Sequence, residues 1–420
     1  MKLLQISFVL LFIVSIGFNV SSQEIDNDPF AAYRTGKAPA IIKKLGIDTT
    51  NSGIIVDKLV FHSRDITSAD GKAEVSVFAA IAHPKGTGPF PGVLRLHGGG
   101  GKADINVAES LAQDGYVAMV LDIPGISHYG GNHHPETSWP KQETYGVTPD
   151  ITHGALFTGI VASLQAFYLL KAQPDIDKNK IGIAGGSWGG YIATMLAAML
   201  DDDLAATWSV YGTGNFMAGS FGMQMLNKMS DYDRFEWIKY LDPGQRAANI
   251  TKPFGIITAT NDKHWSWMAV QKTLSKMKGE TFVSYAPNED HKISYPGSWK
   301  MMEFFNYYLK NAGPPIPKVI ESESHLDKNG NLHVKLVTQN AAKPEMVNIF
   351  YSDPSVKTTE RKWIQVEAKR ENDGIFSASV ANAAFPSGVD WYASMTDRNT
   401  SWTDQLFTTS TWIKHLKSTH

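Results

Sequence analysis

Residues 180–200 read KIGIAGGSWGGYIATMLAAML. Lys180–Gly185 is a short apolar run of the kind a buried strand requires. Tyr191–Leu200 is apolar nearly all round, as in a helix enclosed by protein. Between them stands Gly185-Gly186-Ser187-Trp188-Gly189, a Gly-x-Ser-x-Gly string at a strand-to-helix turn. That context is what a nucleophile elbow needs. The tight turn forces Ser187 into a strained backbone conformation. Side chains two residues to either side would collide, and Gly185 and Gly189 carry none. The hydroxyl is lifted to the helix N-terminus, where the dipole favours a developing anion. The plainer alternative is a glycine-rich turn with an incidental serine.

An elbow demands an acid and then a histidine further along the chain. Asp262 follows an apolar run at 254–260, and His291 follows another at 281–285. Both therefore fall in loops at strand C-termini, where open α/β sheets place their sites. His291 would take the Ser187 proton and return it to the leaving group. Asp262 would hold the imidazole tautomer and stabilise the imidazolium. Three competitors are weaker. His264 is close to Asp262 and suits a surface or substrate contact. Asp290 adjoins His291, but neighbours on an extended loop point apart. Asp242, before Pro243, is far from any strand end.

The oxyanion hole needs the N–H of Trp188 and a second donor from the loop after an earlier strand. His97-Gly98-Gly99-Gly100-Gly101 is that loop, and either Gly98 or Gly99 can supply the donor. His97 itself reads as a structural hydrogen-bonder. Trp139, Tyr211, Trp265 and Trp267, with Trp188, are candidates for the pocket wall, each balanced against a plain core role. His128, His133 and His134 cluster in a loop but lack carboxylates at convincing spacing, so they read as a solvated loop. No metal site and no cofactor is expected.

Outward from the elbow, strands alternate with helices. Strand patterns at 75–81, 93–96, 116–121, 180–185, 206–210, 254–260 and 281–285 are interleaved with helical patterns near 104–112, 155–170, 191–200 and 299–309. Residues 217–249 form a helical excursion rich in Met and aromatics, and residues 123–152 a long aperiodic loop. This order predicts a mostly parallel sheet covered on both faces. The run Asn311-Ala-Gly-Pro-Pro-Ile-Pro317 breaks it. Short alternating segments at 332–337, 347–351, 375–380 and 389–393 then predict an appended C-terminal β-sandwich. The expected division is a signal peptide at 1–22, a lead-in at 23–53, a catalytic domain at 54–312 and a sandwich at 313–420.

Composition narrows the classes. The 420 residues are 43% hydrophobic and 19% charged, which is ordinary for a globular chain with a large core. A formal net charge of −2 gives no global signal for nucleic acid or an anionic surface. Absence of Cys excludes disulfides, thiol nucleophiles and thiolate metal sites. Lys2, the apolar run Leu3–Phe18 and Val20-Ser21-Ser22 read as a secretory signal cut near Gln23. An uncleaved anchor is the alternative, but the run is short for spanning and no stop-transfer charges follow. The expected location is secreted or periplasmic, without stable membrane insertion after cleavage.

Gly185–Tyr191, GGSWGGY, resembles the nucleophile motif of the prolyl oligopeptidase family and the Gly-Gly-Ser-x-Gly-Gly motif of bacterial acetyl xylan esterases. Pro174–Gly182, PDIDKNKIG, is similar to the lead-in common to these clans, and Ala259–Asp262 and Glu289–His291 match their acid and histidine positions. The resemblance covers about residues 54–310 and implies an α/β-hydrolase fold. There are departures. The peptidases carry a large N-terminal propeller or similar domain, where here only the short lead-in precedes the first strand. Dienelactone hydrolases share the core but use Cys. The typical acetyl xylan esterase lacks this glycine loop and the sandwich.

The leading expectation is a secreted serine hydrolase that cleaves carboxylic esters through an acyl-enzyme, with an acetyl xylan-type polysaccharide or a small-molecule ester as substrate. A secreted peptidase or amidase with the same triad is the alternative. A non-catalytic glycan-binding protein is a third, against which the intact Ser, Asp, His and glycine loop speak.

Overall fold

The computed structural model describes residues 27–50, 52–68, 71–127, 133–294, 301–339, 344–397 and 407–418. The proposed signal segment lies outside the described residues. Six strands form the parallel centre: β4 (Phe90–Leu96), β5 (Val117–Leu121), β6 (Ile176–Gly186), β7 (Ala206–Val210), β8 (Phe254–Ala259) and β9 (Thr281–Ala286). Their spatial order is β5-β4-β6-β7-β8-β9. The chain runs from β4 to one side and then to the other, so β4 and β6 straddle a topological switch point, where such sheets bind ligands. β5 and β7 are buried throughout, as strands covered on both faces must be.

Helices cover both faces. α2 (Ala155–Lys171), α3 (Trp188–Met199) and α6 (Trp267–Leu274) pack into one core with Leu94, Leu96 and Ile183. α1 (Ile105–Gln113) and α7 (Met301–Lys310) pack into the other with Val93, Ala184 and Trp208. α2 and α3 are buried along nearly their whole length, which is why neither shows an amphipathic stripe in sequence. Asp104 caps α1 by accepting the Asn106 N–H at 3.1 Å. The expected excursion at 217–249 holds two helices, α4 (Phe221–Leu226) and α5 (Asp231–Leu241).

Two features go beyond the sequence reading. The lead-in contains a strand, β1 (Ile41–Thr49), antiparallel to β2 (Ile55–Ser68), which pairs with β3 (Gly71–His83) and so with β5. β1 is an exposed edge broken by register shifts, so it lacks the apolar alternation that marks a half-buried strand. The C-terminal region is the appended β-sandwich that the sequence predicts, and one of its sheets is joined to the catalytic sheet. One of its sheets, β10 (Val319–Leu326), β11 (Leu332–Thr338), β15 (Ile375–Val380) and β14 (Lys369–Asn372), is separate. The other, containing β12 (Met346–Ser352), β13 (Ile364–Glu367), β16 (Val389–Asp397), β17 (Phe407–Ser410) and β18 (Lys414–Leu416), continues the main sheet, because β17 pairs with β9. A core of Leu332, Leu336, Ile349, Phe376 and Trp391 lies between the two C-terminal sheets.

Candidate active site

Ser187 joins β6 to α3 with φ 54° and ψ −120°. That is left-handed space, where a side chain is strained and needs its surroundings to hold it. The glycines make it attainable. A Cβ on Gly185 would stand 2.0 Å from the Gly189 carbonyl oxygen, and one on Gly189 would stand 2.4 Å from that of Leu96. The Ser187 N–H donates to the Val210 carbonyl at 2.8 Å, and its carbonyl accepts from Tyr191 N–H at 3.0 Å.

Asp262 lies beyond β8 with its carboxylate fully buried. Oδ1 accepts the N–H groups of His264 (2.7 Å) and Trp265 (3.0 Å). Oδ2 is 2.8 Å from His291 Nδ1, and His291 Nε2 is 2.9 Å from Ser187 Oγ. Only a donor can face the carboxylate, so Nδ1 carries the proton and Nε2 is left to accept from the serine. The structure thus brings Ser187, His291 and Asp262 into one hydrogen-bonded chain.

None of the three competitors replaces a member of this chain. His264 packs beside His291 at 4.4 Å between ring centroids, the rings tilted by 52°, but its Nδ1 is 4.0 Å from Asp262, too far for a hydrogen bond. Burial, and then neighbouring His291, lowers its pKa, which favours the neutral ring. Asp290 turns outward to Lys263, bonding its Nζ at 2.8 Å and its N–H at 3.0 Å. Asp242 is buried in a turn where it accepts N–H groups from Asn215, Phe216 and Gly244, and burial pushes its pKa up against those bonds.

The glycine loop leans on the elbow. A Cβ on Gly98 would lie 3.0 Å from the Gly186 carbonyl oxygen and 3.2 Å from Ser187 Cβ. Gly100 and Gly101 spend their N–H groups on Ile126 and Gly98 carbonyls. Gly99 lines the cavity beside Ser187 and Trp188. Among the described residues no acceptor meets the N–H of Gly99 or of Trp188, the latter a first-turn donor that no helical carbonyl can reach. His97 bolts the loop down. Its Nε2 accepts the Ile123 N–H at 3.0 Å, so Nδ1 donates to the Gly98 carbonyl at 2.8 Å. Burial lowers its pKa, in keeping with a neutral ring.

A cavity of about 520 Å³ opens on Ser187. Trp188 and Trp265 line it, but Trp139, Tyr211 and Trp267 do not. Trp139 packs against His133 on the long loop, and Trp267 starts α6 with its side chain against the core. Tyr211 lies behind His291, ring centroids 4.2 Å apart, with burial and the nearby acids Asp262 and Glu289 pushing its hydroxyl up to about 12. The walls that sequence reasoning missed are Tyr145 of the long loop and Phe216, Phe221 and Met225 around α4. The Met and aromatic bias of the excursion was the available signal. The histidine loop also differs from a solvated one. His134 stacks on Phe78 at 3.8 Å and donates its N–H to buried Asp122 at 2.7 Å; His128 lies outside the described residues. Asp262, His264 and His291 each offer a ligand atom within 4.8 Å of the others, but the first and last already bond each other.

The pattern of the "Dienelactone hydrolase family" matches residues 77–291, half the chain, spanning Ser187 and Asp262 and ending on His291. The chain belongs to the dienelactone hydrolase family. The missing Cys, which set such enzymes apart on sequence grounds, does not exclude it; in this family member serine occupies the elbow. A curated relative, the "Uncharacterized peptidase YuxL" of Bacillus subtilis (strain 168), is 23% identical over 51% of this chain and 33% of its own. The chain thus spans about a third of that relative. The solved "Acetyl xylan esterase from Paenibacillus sp. R4" is 18% identical with a TM-score of 0.54, over 66% of this chain and 92% of that one. Acetyl Xylan Esterase 1 from Thermoanaerobacterium sp. JW/SL YS485 has 15% identity and a TM-score of 0.49, over 62% and 93%. At 18% identity the likeness to the Paenibacillus enzyme concerns the α/β-hydrolase fold alone.

Proposed function

We propose that this dienelactone hydrolase family member is a serine esterase that cleaves carboxylic esters of uncharged acyl groups through an acyl-enzyme. The observation that carries this reading is the continuous chain Ser187 Oγ–His291 Nε2 (2.9 Å) and His291 Nδ1–Asp262 Oδ2 (2.8 Å) beside the cavity. Ser187 attacks the acyl carbonyl while His291 takes its proton. The N–H groups of Trp188 and Gly99 receive the oxyanion, and Gly98 allows the loop to approach. His291 then protonates the leaving alcohol, and a water repeats the sequence to release the acid.

The cavity favours the acyl side of this reading. It is walled by Trp188, Trp265, Phe216, Phe221 and Met225, and neither a carboxylate nor a Lys or Arg lines it among the described residues. Such walls suit a small apolar acyl group and offer no counter-charge for a peptide terminus. The signal-like segment at 1–22 supports export, and an acetyl xylan-type ester is the substrate that the fold likeness suggests. The experiment is incubation of purified protein with a fluorophosphonate probe, p-nitrophenyl acetate and a peptide p-nitroanilide, alongside Ser187→Ala. Labelling and ester turnover are expected in the wild type and absent in the variant. An unlabelled wild type overturns the hydrolase reading, and faster anilide than ester turnover favours the peptidase.

A further inference from the structure

The loops that carry Asp262 and His291 are tied to each other. Thr260 N–H donates to the Ala286 carbonyl and Asn261 N–H to that of Glu289, both at 3.0 Å. Asn288 N–H donates to Thr260 Oγ1 at 2.8 Å. The hydroxyl of Thr260 in turn donates to Asn261 Oδ1 at 2.7 Å. This makes one rigid unit of the segments that precede the acid and the histidine.

The unit ends on the C-terminal region. Buried Asn261, adjacent to Asp262, donates its Nδ2 to the Arg361 carbonyl at 2.7 Å. Asn288, three positions before His291, exchanges two bonds with Trp363: Nδ2 to the carbonyl at 3.0 Å, and Oδ1 from the N–H at 2.7 Å. The asparagine side chain thereby mimics one rung of a strand ladder, and its left-handed backbone, φ 62°, aims it there.

The receiving segment is itself fixed. Arg361 is buried, donates to the Val356 and Pro354 carbonyls at 2.8 and 2.9 Å, and pairs with buried Asp390 on β16. Trp363 is buried against Tyr392, ring centroids 5.1 Å apart, and Tyr392 packs on Tyr285 of β9 at 5.0 Å. A loose accessory module would not spend one buried and two partly buried hydrogen bonds on the residue next to the acid and on one three positions before the histidine.

We infer that the C-terminal β-region is a brace for catalysis, in which Arg361 and Trp363 hold Asn261 and Asn288, and through them Asp262 and His291, in register with Ser187. This rests on the esterase reading of that triad. Asn261 and Asn288 are positioning residues, not catalytic ones. The reach is short: displacing a catalytic group by about 1 Å costs on the order of 100-fold in rate.

The test uses the full chain with Asn288→Ala, Asn261→Ala and Arg361→Met, assayed with p-nitrophenyl acetate at a temperature where circular dichroism shows each variant fully folded. The brace predicts that kcat falls about 10- to 100-fold while KM stays within about twofold, and that the rate of fluorophosphonate labelling falls in parallel with kcat. Asn288→Asp serves where Asn288→Ala fails to fold, because it keeps the acceptor for Trp363 N–H and loses only the donor. Folded variants that melt lower but retain wild-type kcat and labelling overturn the brace and leave a merely structural contact. A wild type that neither labels nor turns over ester sinks the esterase reading instead, so the two failures are distinct.

Discussion

Asp262→Asn isolates the part of the site that carries no chemistry of its own. Oδ1 of Asp262 receives two backbone N–H groups, from His264 and Trp265. An asparagine must therefore keep its carbonyl oxygen there. The reversed amide would set its NH2 against two buried donors, each left unpaired at about 1–3 kcal/mol. The reversal is disfavoured by about 2–6 kcal/mol, or by a factor of about 30 or more. With the amide so fixed, its NH2 faces His291 Nδ1, now 2.8 Å from Oδ2. The imidazole can meet that donor only as an acceptor, so its proton moves to Nε2, the atom that must accept from Ser187. The expected loss in kcat is about 10⁴-fold, equivalent to about 5.5 kcal/mol, with the fold intact by circular dichroism. Asp290→Asn is the control, since that carboxylate faces Lys263, and should stay within about twofold. Turnover of p-nitrophenyl acetate per mole of folded protein measures both. An Asp262→Asn enzyme within tenfold of wild type, or a larger loss from Asp290→Asn, would refute the reasoning.

Other consequences can be checked directly. Gly189→Ala places a methyl 2.4 Å from the Leu96 and 2.6 Å from the His97 carbonyl oxygens, so urea melts should show a loss of at least about 3 kcal/mol. Gly186→Ala meets nothing nearer than 4.0 Å and should lose less than about 1 kcal/mol. Phe221→Ala with Met225→Ala opens the cavity wall formed by α4. The kcat/KM for p-nitrophenyl hexanoate relative to acetate should rise about tenfold or more, each accommodated methylene being worth about 1 kcal/mol or above. His264 has a folded-state pKa below its unfolded value of about 6.5. The unfolded chain then binds the proton first as pH falls, so this contribution to stability is complete above about 6.5 and is lost below it. His264→Phe should flatten the decline in stability between pH 7.5 and 5, read from urea midpoints.

The elbow was legible because its cause is local: Gly185 and Gly189 answer a steric demand made within one turn, and the strand residues Ile181–Ala184 that lead into it and the helix that leaves it are almost wholly apolar. Asp262 and His291 followed because chain order and strand ends constrain where such groups can stand. The pocket was not legible in the same way. Trp267 at the start of α6 and Tyr211 just after β7 stand near catalytic positions in sequence, but which way a ring faces is set by packing, and Tyr211 went behind His291. Phe221 and Met225 sit on a short exposed helix whose position over the cavity depends on contacts far away in sequence. β1 was hidden by its exposure, and the pairing of β17 with β9 left no local trace, since neither segment differs in composition from an ordinary strand.

That last pairing bears on how the whole site is held. An open parallel sheet ends in an edge strand with unpaired backbone groups, a liability for self-association. Here the edge would be β9, the strand that delivers His291. Ser410 of β17 sits opposite Val283, and its Oγ accepts the Tyr285 N–H at 3.2 Å. Gln271 of α6 joins the same seam by accepting the Ile413 N–H and the Tyr285 hydroxyl. The C-terminal region therefore covers the edge and bonds Asn261 and Asn288 at a single location. Both tasks fall on the side of the sheet where the acid and the histidine emerge, while the nucleophile side relies on its own glycines and on His97. Destabilising the β-region should thus impair Asp262 and His291 before it disturbs Ser187. In urea below the global transition, ester turnover should fall while the φ 54° elbow, held by Val210 and Tyr191, persists.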